Sequence, residues 1–200
     1  MLVYYIMRGI VTGFMKVFFP FKVIGKKIAC KTPCVIVANH LSNADAFIIG
    51  MQYKGKTYVL TKKESFSSKP VSWFLRTLGG VPVDRDNPEP STIINCIKLL
   101  KGGNRLLIFP EGTRNKTNEV LLPLKGGAAL FAIKSKTPVQ TVFIDGKSRF
   151  LRRNYIKIGE PFELSDFYGS KVNAEVLDKA DEMIRQKLLE TKDIPTKKAK

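Results

Sequence analysis

From about residue 20 onward, short apolar runs alternate with stretches of helical periodicity. The run Cys34-Val35-Ile36-Val37-Ala38 is apolar at every position and of strand length, the pattern of a strand buried on both faces. Comparable runs predict seven strands, at 21–25, 35–39, 57–61, 81–84, 106–109, 138–144 and 155–159. Helical spacing predicts helices at 45–52, 71–78, 90–101, 126–134 and 172–190. This alternation predicts an α/β fold: a mixed, mostly parallel central sheet covered by helices on both faces. The expected organisation is an N-terminal amphipathic, membrane-interface helix over 1–20, one domain over 21–192 and a basic tail over 193–200. A chain of 200 residues suits one domain with an adequate core.

The first twenty residues are apolar and aromatic. They make a poor signal peptide, because no basic region precedes the apolar run and no small-residue cleavage site follows it. They also make a poor membrane span, since Arg8 interrupts the segment. A helix lying in the bilayer interface fits better, with Arg8 and Lys16 reaching headgroups while Phe14, Phe18 and Phe19 enter the acyl region. The alternative is a helix packed on the protein's own core.

Charge sharpens the picture. The 34 Lys and Arg outnumber 17 Asp and Glu, for a net charge of +17. That excess implies an anionic partner: a membrane surface, a nucleic acid or a phosphorylated substrate. Arg8, Lys16, Lys22, Lys26, Lys27 and Lys31 precede the first acid, and Lys147, Arg149, Arg152, Arg153 and Lys157 form a second cluster. No RNA-recognition or zinc-finger pattern accompanies the charge, so nucleic acid is not the expected partner. Three cysteines, Cys30, Cys34 and Cys96, have no framework spacing and suit ordinary packing in a reducing compartment. A zinc site from Cys30, Cys34 and His40 would match no common ligand spacing.

His40 is the only histidine, in Asn39-His40-Leu41-Ser42-Asn43-Ala44-Asp45. Any imidazole proton transfer near neutral pH falls to it. Ser42 and Asp45 also fit a variant capping box, which explains the acid without chemistry. Residues five apart on a helix lie about 140° round from each other, so His40 and Asp45 can meet only if His40 sits in the turn before the helix.

Further blocks decide between these readings. Asn39-His40 followed by Asp45, then Gly80 to Arg85, then Phe109-Pro110-Glu111-Gly112-Thr113-Arg114, resemble the glycerolipid acyltransferases in that order. The likeness is nearest to those acting on 1-acylglycerol-3-phosphate (lysophosphatidic acid). Lys125-Gly126 matches a following lysine-glycine pair. Pro138 matches the first proline of the last block, and its second proline is missing. The resemblance covers about residues 30 to 160.

The resemblance implies acyl transfer from a thioester, acyl-CoA or acyl-carrier protein, to a free hydroxyl of lysophosphatidic acid, giving phosphatidic acid for phospholipid synthesis. No cofactor is expected beyond that co-substrate. His40 would remove the hydroxyl proton, and Asp45 would hold the imidazole tautomer. Ser42 is read as a cap, because the family pattern does not fix its position. Arg114 would bind the acceptor phosphate, with Thr113, Gly112 and turn amides adding donors and Arg85 and Lys125 as further candidates. The Gly112-Thr113 amides are the expected oxyanion donors. Glu111 would orient Arg114 or close the turn. Trp73 is read as core. The expected location is the cytoplasmic face of the cell membrane, on an anionic surface, as a peripheral or monotopic protein. Acyl transfer to another acceptor, a thioesterase and a non-enzymatic basic membrane module are the competing readings.

Overall fold

The computed structural model describes residues 2–24, 30, 33–85 and 87–195. Lys26, Lys27, Lys31, Asp86 and tail residues 196–200 lie outside the described residues. The helices are α1 (Leu2–Phe18), α2 (Asp45–Gly50), α3 (Lys69–Thr77), α4 (Pro90–Lys101), α5 (Gly127–Ser135) and α6 (Ala174–Lys192). The strands are β1 (Phe21–Ile24), β2 (Val35–Ala38), β3 (Thr57–Lys62), β4 (Gly80–Val83), β5 (Arg105–Ile108), β6 (Val139–Asp145) and β7 (Asn154–Ile158). They form one sheet in the order β1-β7-β6-β2-β5-β3-β4. Every pairing is parallel except β6 with β7. The sheet is therefore mixed and mostly parallel, as the apolar runs predict.

Local chemistry sets the element ends. All four residues of β2 are buried, which suits a central strand covered on both sides. Pro90 stands in the first turn of α4, where its missing N–H is harmless. Asn173 caps α6 by accepting the Val176 N–H (2.9 Å), so that helix starts two residues later than its periodicity predicts. At its other end buried Lys157 donates to the Lys192 carbonyl (2.5 Å), placing a cation at the negative helix terminus.

Two apolar layers cover the sheet. Val35, Val37, Leu106 and Ile108 face α4, α5 and α6, while Ile36, Ala38 and Leu107 face α1 and α2. Tyr4 and Met15 bury the inner side of α1. Arg8 departs from expectation. Its guanidinium donates to the carbonyls of Gly55 (2.6 Å) and Tyr53 (2.5 Å), beside a Tyr4 hydroxyl that also donates to Gly55 (2.9 Å). Arg8 therefore clamps α1 to the turn before β3 and does not point toward headgroups, because its guanidinium is spent on two carbonyls of that turn. The outer side of α1 remains apolar and exposed at Leu2, Ile6, Ile10, Phe14 and Val17.

One buried acid carries a stability cost. Asp181 on α6 accepts the Gly126 N–H through Oδ2 (2.5 Å), while Oδ1 has no hydrogen-bond partner among the described residues. Burial pushes its carboxyl up to about 6. A folded-state value above the unfolded one means that the ionised form costs stability, and that the cost fades as pH falls through 6. Asp181→Asn keeps an oxygen for Gly126 and removes the charge. It is expected to raise unfolding free energy by up to about 3 kcal/mol above pH 6. The gain should shrink toward pH ~4, the ordinary carboxylate range. Urea unfolding of both proteins across that range checks this, and a gain independent of pH would refute the burial argument.

Candidate active site

The parallel strands β2, β3, β4 and β5 lie side by side, and the predicted site residues follow their C-terminal ends, where open α/β sheets bind ligands. After β2, the Asn39 side chain donates to the Ile144 carbonyl (3.1 Å) and accepts the Ile144 N–H (2.7 Å). It thereby extends the β2–β6 ladder by one residue and holds the chain at the point where His40 leaves the sheet. The chain then turns sharply into α2.

Asp45, fully buried, is the centre of that turn. Its Oδ2 accepts from the N–H groups of Leu41 (2.7 Å) and Ser42 (2.6 Å) and lies 3.2 Å from His40 Nδ1. Its Oδ1 accepts from the hydroxyls of Ser42 (2.9 Å) and Ser148 (3.0 Å). An ionised carboxylate only accepts, so Nδ1 carries the proton and Nε2 keeps the lone pair. The His40 ring stacks on Phe109, with centroids 4.0 Å apart. Ser42 also accepts the Ala44 N–H (3.1 Å), which leaves its hydroxyl committed to the turn.

Glu111 ties main chain together and does not hold Arg114. It is buried; Oε1 accepts the His40 N–H (2.9 Å) and Oε2 the Leu122 N–H (2.9 Å). Burial pushes its carboxyl above its ordinary value, and these two amides partly offset that. Glu111 therefore fastens the His40 backbone and makes no hydrogen bond to Arg114 among the described residues. Arg114 instead donates to Asn43 Oδ1 (3.1 Å). The His40 carbonyl accepts the Asn115 N–H (2.7 Å), so both backbone groups of His40 are held by the β5 turn.

The Phe109 carbonyl accepts the Gly112 N–H (3.0 Å). That amide is committed to the turn and is not an oxyanion donor, which corrects the expectation for Gly112. The Thr113 amide has no such acceptor among the described residues. Gly112 has φ +66°, the left-handed region that favours glycine, and a Cβ there would meet Lys125 Cδ at 2.8 Å, so the lysine stem would have to shift. Arg85 donates to the Gly112 carbonyl (2.6 Å).

These residues converge on one cleft. His40, Asn43, Lys62, Arg85, Thr113, Arg114 and Lys125 line it, with four cations and no acid among the lining residues. Lys62, at the end of β3, is a cation that no motif above contains. An apolar cavity shares Ala46, Phe47, Val59, Thr61 and Leu75 with the cleft and runs beneath α1, where Tyr4, Arg8 and Val11 roof it. Trp73 belongs to neither, being 56% exposed on α3, so its core reading is wrong: no further layer covers that helix face. The zinc alternative also fails on geometry, because Cys30 and Cys34 precede β2 while His40 follows it.

Residues 20–145 match the family model described as Acyltransferase. The chain belongs to the acyltransferase family. It is 36% identical over 139 residues to the 1-acyl-sn-glycerol-3-phosphate acyltransferase of Bacillus subtilis, covering 66% of this chain and 68% of that protein. With the enzyme of the same name from Streptococcus pneumoniae it shares 33% over 151 residues, 72% of this chain and about half (54%) of that one. The crystal structure of the 1-acyl-sn-glycerophosphate (LPA) acyltransferase PlsC from Thermotoga maritima matches with a TM-score of 0.69 at 25% identity, covering 97% of this chain and 81% of that one.

Glu111→Gln tests the tether within this family site. One acceptor would become a donor facing an amide N–H. The expected loss is about 1–3 kcal/mol of stability, with turnover falling more than acceptor KM rises, since Glu111 does not reach the cleft. Urea unfolding and steady-state kinetics together check this; a raised KM alone would return Glu111 to the substrate.

Proposed function

We propose that this protein transfers a fatty acyl group from an acyl thioester to the free hydroxyl of 1-acylglycerol-3-phosphate, forming phosphatidic acid. The observation that carries the reading is an imidazole–carboxylate pair opening on a cleft of four cations and no acid, joined to an apolar cavity. The cations suit a phosphate, and the cavity suits a hydrocarbon chain. The names of the relatives support the same substrate class.

In this mechanism His40 Nε2 accepts the acceptor's hydroxyl proton as its oxygen attacks the thioester carbon. Asp45 holds the ring and stabilises the imidazolium. The tetrahedral oxyanion collapses, the C–S bond breaks, and the imidazolium returns its proton to the thiolate. The products are an ester and a free thiol, so no acyl-enzyme is needed and Ser42 has no covalent role. Arg114 presents its fork to the phosphate, with Lys125, Arg85 and Lys62 adding positive field. The Thr113 amide is the proposed oxyanion donor. A thioesterase, with water as its acceptor, would need no site for a second, acceptor phosphate.

The membrane placement is part of the proposal. Among the described residues no helix is long and apolar enough to cross a bilayer. The exposed apolar side of α1 and the +17 charge suit peripheral seating on an anionic surface, on the cytoplasmic side where acyl thioesters are supplied.

Purified protein should acylate 1-acylglycerol-3-phosphate in preference to lysolipids lacking the terminal phosphate, with acyl-CoA or acyl-carrier protein as donor. His40→Ala and Asp45→Asn should each lower turnover by about 10²–10⁴. A folded His40→Ala protein with near wild-type turnover would end the mechanism. Arg114→Ala should raise acceptor KM roughly tenfold or more, from the loss of ~1.5–3 kcal/mol of charged hydrogen bonding. If donor KM rose instead, Arg114 would belong to the other substrate.

For the membrane, Ile6→Ser/Ile10→Ser should weaken flotation with anionic vesicles and leave turnover of a short, water-soluble acceptor unchanged. Unchanged flotation would refute α1 as an interface helix.

A further inference from the structure

We propose that the loop between β6 and β7, residues 146–153, is a second bilayer-contacting element that seats beside α1 on anionic lipid. This rests on the reading of α1 as an interface helix and extends the contact to a distant part of the chain. The loop puts its two apolar side chains outside: Phe150 is 57% and Leu151 60% exposed. Around them stand Lys147, Arg149, Arg152 and Arg153, all exposed, and the eight residues contain no acid.

The loop is held in shape. Asn154 accepts the Arg149 N–H (2.7 Å) and donates to the carbonyls of Arg149 (3.2 Å), Arg152 (2.9 Å) and Pro20 (3.1 Å). Leu151 has φ +54°, which a leucine adopts only at a cost. Its N–H donates to the Phe18 carbonyl (2.6 Å) at the end of α1. The hydrogen bonds thus secure the backbone while the apolar side chains stay in solvent.

The loop is continuous with α1. The Phe150 ring stacks on Phe18 at 5.5 Å and meets Phe19 edge-on at 5.8 Å, and Phe18 lies 4.5 Å from Phe14. An aromatic run therefore leads from the exposed side of the helix to the tip of the loop. Apolar tips ringed by guanidinium and ammonium groups match the acyl–headgroup boundary of a bilayer, where rings enter and cations meet phosphates. Nucleic acid would satisfy the cations but offer nothing to Leu151. The same loop brings Ser148 onto Asp45, so the contact adjoins the imidazole–carboxylate pair.

The test uses flotation with vesicles of pure phosphatidylcholine and of equal parts phosphatidylcholine and phosphatidylglycerol. Phe150→Ser/Leu151→Ser should bind both vesicles several-fold more weakly. Arg149→Gln/Arg152→Gln/Arg153→Gln should lose binding only to the anionic vesicles, by up to about fivefold per charge. Both variants should keep wild-type turnover on a short, water-soluble acceptor. In a Trp73→Phe background, Phe150→Trp should be quenched by lipid brominated on its acyl chains. Loop variants that float like wild type while Ile6→Ser/Ile10→Ser does not would overturn the loop proposal and leave α1 standing. The reverse pattern would keep the loop and remove α1. Loss of turnover on the soluble acceptor would also overturn it, by showing that the loop acts through the fold.

Discussion

The site is organised by the burial of one carboxylate. An ionised acid without partners in a protein interior costs more than a domain's net stability can absorb. Asp45 is tolerated because five donors meet it: the amides of Leu41 and Ser42, the hydroxyls of Ser42 and Ser148, and His40 Nδ1. Those donors dictate the path of the chain. Two consecutive amides can reach one oxygen only if the backbone wraps around it, and that wrap swings the imidazole onto the same oxygen. Capping and imidazole orientation compete as explanations of the segment from Asn39 to Asp45. In the folded chain they are one arrangement.

A second buried carboxylate completes the hold on His40. Glu111 grips its backbone N–H while Asn115 donates to its carbonyl, so the ring is set from the α2 side and the main chain from the β5 side. Both acids stand behind the imidazole. In front of it the lining charges are Lys62, Arg85, Arg114 and Lys125. That separation matters because Coulomb energies fall only as the inverse of distance and are poorly screened where water is scarce. An acid on the front wall would repel a phosphate directly; behind the wall, already neutralised by donors, it does so far less.

What the sequence revealed follows the range of the interactions involved. The strands announce themselves by local apolar runs, and the helices by periodicity and terminators, so the sheet and all six of the described helices were legible within a few residues of their ends. His40, Asp45 and Arg114 were legible because each sits in a compact block. Glu111 shares such a block, yet its partners are Leu122 and His40, and no local pattern identifies them. Ser148 lies 103 residues from Asp45 and carries no signal at all. Arg8 was misread for the same reason: amphipathicity places a cation on a helix face but does not say that the Tyr53 and Gly55 carbonyls wait beneath it. Trp73 was misread because its hydrophobicity says that cover is favourable, not that a further layer exists to provide it.

The placement of Arg8 has a consequence for the route of an apolar substrate. With its cation turned inward and tied to the Tyr53 and Gly55 carbonyls, α1 has an inner side fixed to the fold and an outer side of Ile6, Ile10 and Val17 left bare. The cavity that continues the cationic cleft runs under that same helix. A helix seated at a lipid surface would then have hydrocarbon on one side and the hydrocarbon-shaped cavity on the other. An apolar chain would pass between them around the helix without crossing bulk water. The exposed apolar surface of α1, a liability for a freely soluble domain, would then be the feature that brings a hydrocarbon chain and the charged cleft to one protein.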